Sequence, residues 1–463
     1  MKYNKFFTSP DGEDPKHAYH SILEQKLKLV LSPIERFTKT QIMTSIILLF
    51  CTVIALFLAT NQQTSSLYNY LINLPISIQI GEVVLKEPLE FWVNDILLTF
   101  FFFTIGLEIK REFLVGELVE IKRTILIVCA AIGGIIMPAI IYILCNLHQT
   151  TISGWAIPTA TDTAFSLGIL SCFRSYLPKG IFTFMAALTI LDDICGILIL
   201  GIFYSHNVNM HYLNVAILLL ICLVVCDFAG VRKPWPYIIL GSTIWFFTEA
   251  AGIHGTLAGI MIAFTIPARP QYGPIYFINS SRRLINYFEN RKRHTPLVLQ
   301  DDRQHAALQQ LQLTALDAST PLQRWLSALQ LPIMLFILPL FAVINAGIDL
   351  HSVNIFETLL HPISRGIIFG LVIGKPFGIL LGANLAYVMG IGKLPKDTDF
   401  TVIISSIWLT GIGFTMSIFI SNLAFEAQLI NIVMAKTGIL IGSLMSCILG
   451  IISLIANSFI CKK

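Results

Sequence analysis

From Gln41 onward the chain is a succession of apolar stretches separated by short polar connections. A helix needs roughly 20 apolar residues to cross a bilayer. Windows of that kind fall near 41–60, 93–114, 124–145, 155–172, 180–204, 211–228, 235–251, 252–267, 329–347, 360–388, 400–424 and 429–460. The pattern predicts an all-α membrane protein of about 12 transmembrane helices. The seventh and eighth windows run together around Gly252 and His254, so hydropathy alone also allows one long helix there.

Two stretches depart from this pattern. Ile76, Ile78 and Ile80 alternate with polar residues, Gly81 and Glu82 follow, and Val83 to Lys86 resumes extended character. That predicts a hairpin over about 75–90 on the outer face. From about 268 to 328 the chain is basic, Gln-rich and weakly periodic, which predicts a cytoplasmic loop with room for one surface helix. Residues 1–40 are polar and charged, unlike a cleaved signal peptide, and read as a cytoplasmic tail before a transmembrane domain over 41–460.

Charge fixes the number of spans better than hydropathy does. With twelve spans and an inside N-terminus, 27 of the 31 Lys and Arg residues fall in cytoplasmic segments. The outer side receives Lys86 alone, and Arg365, Lys375 and Lys436 lie within or at the edges of spans. So one-sided a distribution fits the positive-inside rule with both termini cytoplasmic. Merging the seventh and eighth windows would invert every later loop. With 55% hydrophobic and 13% charged residues the chain is not an ordinary soluble domain. The net charge of +4, concentrated on one side, speaks of orientation and not of nucleic acid. Most of the nine cysteines sit in apolar runs as small hydrophobes, without disulfide or metal-ligand spacing.

Ionisable groups inside a span cost several kcal/mol and default to function. Asp162 falls in PTATDTAFSLG, Asp192 and Asp193 in AALTILDDICGILIL, and Lys375 in GLVIGKPFGIL. Adjacent helical residues point about 100° apart, so the two aspartates face different neighbours near the middle of one span. Two carboxylates there require cations or protons, and a small cation would compete with protons for the same oxygens. Lys375 is the available opposite charge. Five glycines, Gly366, Gly370, Gly374, Gly378 and Gly382, recur every fourth residue through its helix and make a smooth packing face. Asp162 lies among Pro158, Thr159, Thr161 and Thr163, a poor run for a continuous helix, and Gly411, Gly413 and Thr415 weaken the eleventh span similarly. Broken helices expose half-helix dipoles at mid-membrane depth. There an aspartate would compensate N-termini and a lysine C-termini. Two such spans, each the middle of a three-span group, are what an inverted 3+3 repeat would show.

Together, WAIPTATDTAF, LTILDDICGILI, GIHGTLAGIMIAF, ILPLFAVINAG, LVIGKPFGI and GIGFTMSIFI closely resemble the NhaA family of bacterial sodium/proton antiporters, in order and spacing, from about Gln41 to Ile455. The resemblance implies electrogenic exchange of Na⁺ or Li⁺ for more than one H⁺ across the inner membrane, with spans 4 and 11 as discontinuous crossing helices. It implies that Asp193 is the main cation ligand and Asp192 its partner, exchanging between free carboxylate and ion pair with Lys375. Thr161 resembles the hydroxyl contributor, and Asp162 the residue facing the crossed helices. Glu108 and Glu112 in GLEIKRE match the acidic mouth of the family's cytoplasmic funnel, and His254 matches the histidine of HxTLAG. The outer hairpin resembles the family's dimer contact. One departure stands out: where the family's model members carry a Glu and two His before the ninth span, this chain has Leu326, Ser327 and Gln330.

Two rivals fit less well. An intramembrane aspartyl protease needs aspartates on separate helices and a GxGD motif, which this sequence lacks. A sodium-coupled symporter of an organic anion would not need Asp192, Asp193 and Lys375 together.

Overall fold

The computed structural model describes residues 41–80, 83–115, 120–147, 149–204, 208–289, 302–349, 355–395, 398–426 and 428–460. The expected N-terminal tail lies outside them.

The chain starts with α1 (Gln41–Thr60) and a short α2 (Ser65–Ile72). Strands β1 (Pro75–Ile80) and β2 (Val83–Pro88) then pair antiparallel, with Pro75 opposite Pro88 and Ile80 opposite Val83. After them come α3 (Leu89–Val115) and α4 (Ile121–Cys145). The fourth span is broken: a 3₁₀ stretch over Thr150–Thr159 is followed by α5 (Thr163–Cys172). Next are α6 (Lys179–Phe203), α7 (Met210–Phe228), α8 (Pro234–Ala250) and α9 (Gly255–Thr265). Beyond the membrane-length helices lie α10 (Pro274–Glu289) and α11 (Asp302–Ala318). The remaining helices are α12 (Pro321–Asn345), α13 (Ile355–Leu360), α14 (Pro362–Val388), α15 (Phe400–Ile407), α16 (Phe414–Ala424) and α17 (Leu429–Ile460).

Among the described residues eight helices are long and apolar enough to cross a membrane, and α15 with α16, bent by 44° at their break, make a ninth span. The other three expected spans are present in altered form. The fourth is interrupted, α8 has 17 residues, and α9 has only 11. Eleven residues rise about 16 Å, well short of the roughly 30 Å hydrocarbon core. The seventh and eighth windows are separate helices because Gly252 turns the chain at φ +81°. There Gly252 N–H donates to Glu249 O and Ile253 N–H to Thr248 O, closing the end of α8. Only glycine adopts that φ cheaply.

The loop after α9 holds two helices where the sequence suggested one. Pro274 opens α10, and α11 packs against it. The entry to α12 is fixed by Thr320, whose hydroxyl accepts from Gln323 N–H while the Gln323 side chain accepts from Thr320 N–H.

Helix α4 lies against α14, α17 against α14, and the fourth span's 3₁₀ stretch against α16. Glycines make the first of these contacts close: a Cβ on Gly378 would meet the Gly133 carbonyl, and one on Gly382 the carbonyl of Cys129. A second apolar cluster, including Phe103, Leu223, Tyr237 and Ala263, joins α3 to α7, α8 and α9. The outside of the bundle is itself apolar, as lipid requires; Phe50 is 65% exposed and Phe57 63%.

Candidate ion-binding site

The site forms where the fourth and eleventh spans break. Ala160 and Asp162 are extended (ψ 148° and 102°), and side chains alternate along extended backbone. Thr161 and Thr163 therefore face α6, while Asp162 faces the other broken span.

On the far side, Asp162 caps α5 by accepting from Phe165 N–H at 3.2 Å. Its Oδ2 also accepts from the N–H of Thr415 at 3.0 Å and from that residue's hydroxyl at 2.5 Å. Asp162 N–H donates to Ile412 O at 2.7 Å. One buried carboxylate thus compensates the N-terminal ends of two half-helices. Ser443 of α17 adds a hydroxyl that accepts from Gly413 and Phe414 N–H.

Toward α6, Asp192 Oδ2 lies 3.1 Å from Lys375 Nζ, with both side chains fully buried. The same oxygen accepts from the Thr161 hydroxyl at 2.7 Å, and that hydroxyl also lies 3.2 Å from Thr410 O. Lys375 Nζ donates as well to Thr159 O, the end of the 3₁₀ stretch, so its charge faces a C-terminal half-helix end. The other Asp192 oxygen, Oδ1, is buried with no hydrogen-bond partner among the described residues. Asp193 points elsewhere, its Oδ2 accepting from the Thr163 hydroxyl at 3.1 Å.

A cavity of about 170 Å³ ends at Asp193 and Thr163. Its wall includes Thr44, Thr104, Glu108, Arg111, Glu112 and Gln330. Arg111 pairs with Glu112 at 3.1 Å. Asp192, Lys375, Thr161 and Asp162 are not on that wall. They sit behind it.

The residue set matches, across nearly the whole chain, one described group of proteins. The sequence profile described as Na+/H+ antiporter 1 matches residues 35–454. The chain belongs to this family. It is 39% identical over 427 residues to Na(+)/H(+) antiporter NhaA 1 of Saccharophagus degradans, covering 92% of each chain. It is also 39% identical over 434 residues to Na(+)/H(+) antiporter NhaA 1 of Shewanella denitrificans, covering 94% of this chain and 96% of that one. With Na(+)/H(+) antiporter NhaA of Sulfurimonas denitrificans it shares 38% identity over 429 residues, 93% and 96% of the two chains. A member of this antiporter family is a transporter and not an enzyme, and this one is a multi-pass membrane protein.

Of the residues singled out from the sequence, the structure brings Thr161, Asp162, Asp192, Asp193 and Lys375 to one place. Glu108 and Glu112 join them through the cavity. His254 is not brought there. It precedes Gly255 at the start of α9, whereas Lys110, two residues from Glu108, bonds Phe264 O and Ile266 O at that helix's other end. Sequence reasoning passed over Thr163 as a contact of Asp193. It also passed over Ser443 and the carbonyls of Thr159 and Thr410, because backbone acceptors leave no trace in residue identity.

Proposed function

We propose that this chain is an electrogenic antiporter that moves Na⁺ or Li⁺ out of the bacterial cytoplasm in exchange for more than one H⁺, with Asp193 and Asp192 as the shared site. Na⁺/H⁺ exchange is the activity of its family. The observation that carries the site assignment is the cavity that runs from the acidic pair Glu108 and Glu112 to Asp193. Acidic walls concentrate cations and repel anions, so an organic-anion symporter has nothing to favour it here.

The proposed cycle follows from who holds which oxygen. A cation arriving through the cavity meets Asp193 first and displaces its proton. Asp192 joins through Oδ1, which has no hydrogen-bond partner among the described residues. As the cation takes up its charge, the ion pair of Oδ2 with Lys375 loosens and the lysine loses a proton. One monovalent cation is thus traded for two protons, one from Asp193 and one from Lys375, and net charge moves. Asp162 holds the N-terminal ends of two half-helices and Lys375 the C-terminal end of the 3₁₀ stretch, so a shift of either broken span would re-aim the site.

The one-sided charge supports an inner-membrane orientation with both termini and the 268–328 loop in the cytoplasm, residues 1–40 as a tail and 41–460 as the transport domain. The hairpin's two strands pair only with each other among the described residues, leaving open edges that suit pairing with a second copy in a homodimer.

The test is whether NaCl collapses a preformed pH gradient in proteoliposomes, with membrane potential clamped and then free. Collapse that quickens when charge is compensated is expected. Asp193→Ala should abolish it, and normal sodium-driven proton movement in that variant would end the site assignment.

A further inference from the structure

We infer that Thr163 is a direct ligand of the transported cation, an inference that rests on the function proposed above. The two hydroxyls that face α6 are not equivalent. Thr161 is fully buried, and its oxygen is engaged with Asp192 Oδ2 and Thr410 O behind the cavity wall. Asp192 Oδ2 in turn holds Lys375. Thr163 is half-buried, reaches only Asp193 in this group, and lines the cavity beside it. A cation coming from Glu108 therefore meets the Asp193 and Thr163 oxygens together.

Their spacing suits that role. Two oxygens 3.1 Å apart can both touch one ion held at about 2.4 Å, the distance typical of a Ca²⁺-sized cation, and Na⁺ is of that size. A hydroxyl that donates to a carboxylate keeps two lone pairs, so rotation about Cβ–Oγ1 turns the proton away and offers the oxygen to the ion. Thr163 is the first residue of α5, where a positive helix end would oppose a cation. Asp162, one residue earlier, offsets that end with its cap to Phe165 N–H.

The experiment measures sodium-driven collapse of a pH gradient in proteoliposomes holding the full chain, with Thr163→Val and Thr163→Ser beside the wild type. Valine removes the hydroxyl at nearly constant volume. Its apparent KM for Na⁺ should rise about tenfold, the size of one charge-assisted contact, with the maximum rate within about twofold of wild type. Serine should restore the wild-type KM. The rise should persist at alkaline pH, where protons compete least for Asp193. A rise that vanishes there means that Thr163 only biases the protonation of Asp193, and it overturns the ligand assignment. An unchanged KM in Thr163→Val overturns it too. If Thr163→Val does not fold, Thr163→Ala makes the same deletion and is read by the same criteria. A wild type that exchanges no Na⁺ overturns the proposed function and this inference with it, whereas exchange with an indifferent Thr163 overturns this inference alone.

Discussion

Asp162 and Thr415 are 253 residues apart in sequence and share two hydrogen bonds across the broken spans, at 3.0 and 2.5 Å. The pair ties the start of α5 to the start of α16. Asp162→Asn keeps the shape but removes the charge that offsets two helix N-termini, and it puts a donor where an acceptor stood. It should lower the unfolding temperature and slow transport, while Thr415→Val, which spares the backbone bond, should cost about 1.5–3 kcal/mol, the size of one bond to a charged group. Thermal unfolding in detergent, beside gradient-collapse rates, checks both. An Asp162→Asn protein that melts and transports like the wild type would remove the capping role.

The Asp192–Lys375 pair makes a different kind of prediction, because both charges are away from water. Removing one partner leaves the other uncompensated, a loss of about 3–5 kcal/mol in buried pairs. Lys375→Met should therefore be strongly destabilised. Adding Asp192→Asn to it should recover much of that loss, since no bare charge remains. If the double variant is no more stable than Lys375→Met alone, the ion pair is not what holds Lys375 in place.

Much of this site could be read from the chain because its chemistry is carried by residues that are expensive in lipid. Asp162, Asp192, Asp193 and Lys375 each announce themselves against apolar neighbours, and the Pro, Thr and Gly runs mark both breaks. The parts that were not legible depend on backbone. The short α9, 11 residues where sixteen were expected, is set by where Gly252 turns the chain and not by hydropathy. Local π-type turns at Trp92–Leu97, Ile333–Ile337 and Gly370–Gly374, the last directly before Lys375, widen otherwise ordinary helices without any residue signal. Thr163 was visible only as a helix breaker, because its partner, Asp193, lies on another span. Two helices in the loop after α9 were hidden by weak periodicity and are fixed in part by their contact with each other.

His361 gives a pH dependence outside the membrane-length helices. It precedes α14, and its Nδ1 accepts from Ile363 N–H at 3.4 Å, which requires the neutral ring. Burial, aided by the Arg365 charge, holds its pKa below the usual 6.5. The native state then binds fewer protons there than the unfolded chain, so this contribution is complete above the unfolded value and is lost as pH falls toward the folded one. Asn caps equally well and does not titrate. Unfolding temperatures taken from neutral to mildly acidic pH should fall less in His361→Asn than in wild type, by a small margin because the ring is partly exposed. Parallel curves would show that the cap does not titrate in this range.

The contact of α4 with α14 is made through bare backbone. A Cβ at Gly378 would come within 2.1 Å of the Gly133 carbonyl oxygen, and one at Gly382 within 2.0 Å of Cys129 O. Neither obstacle is a side chain that can rotate away, so the helices must separate. Overpacking of this kind costs about 1–3 kcal/mol, and more where backbone has to move. Gly378→Ala should therefore lower the unfolding temperature clearly. Gly196 in α6 is the matched control, since a Cβ there meets nothing within 4 Å. Alanine is the better helix former by up to about 1 kcal/mol, so Gly196→Ala should be neutral or stabilising. If the two variants melt together, close approach of α4 and α14 does not set the stability of the bundle, and the recurring glycines of α14 need another explanation.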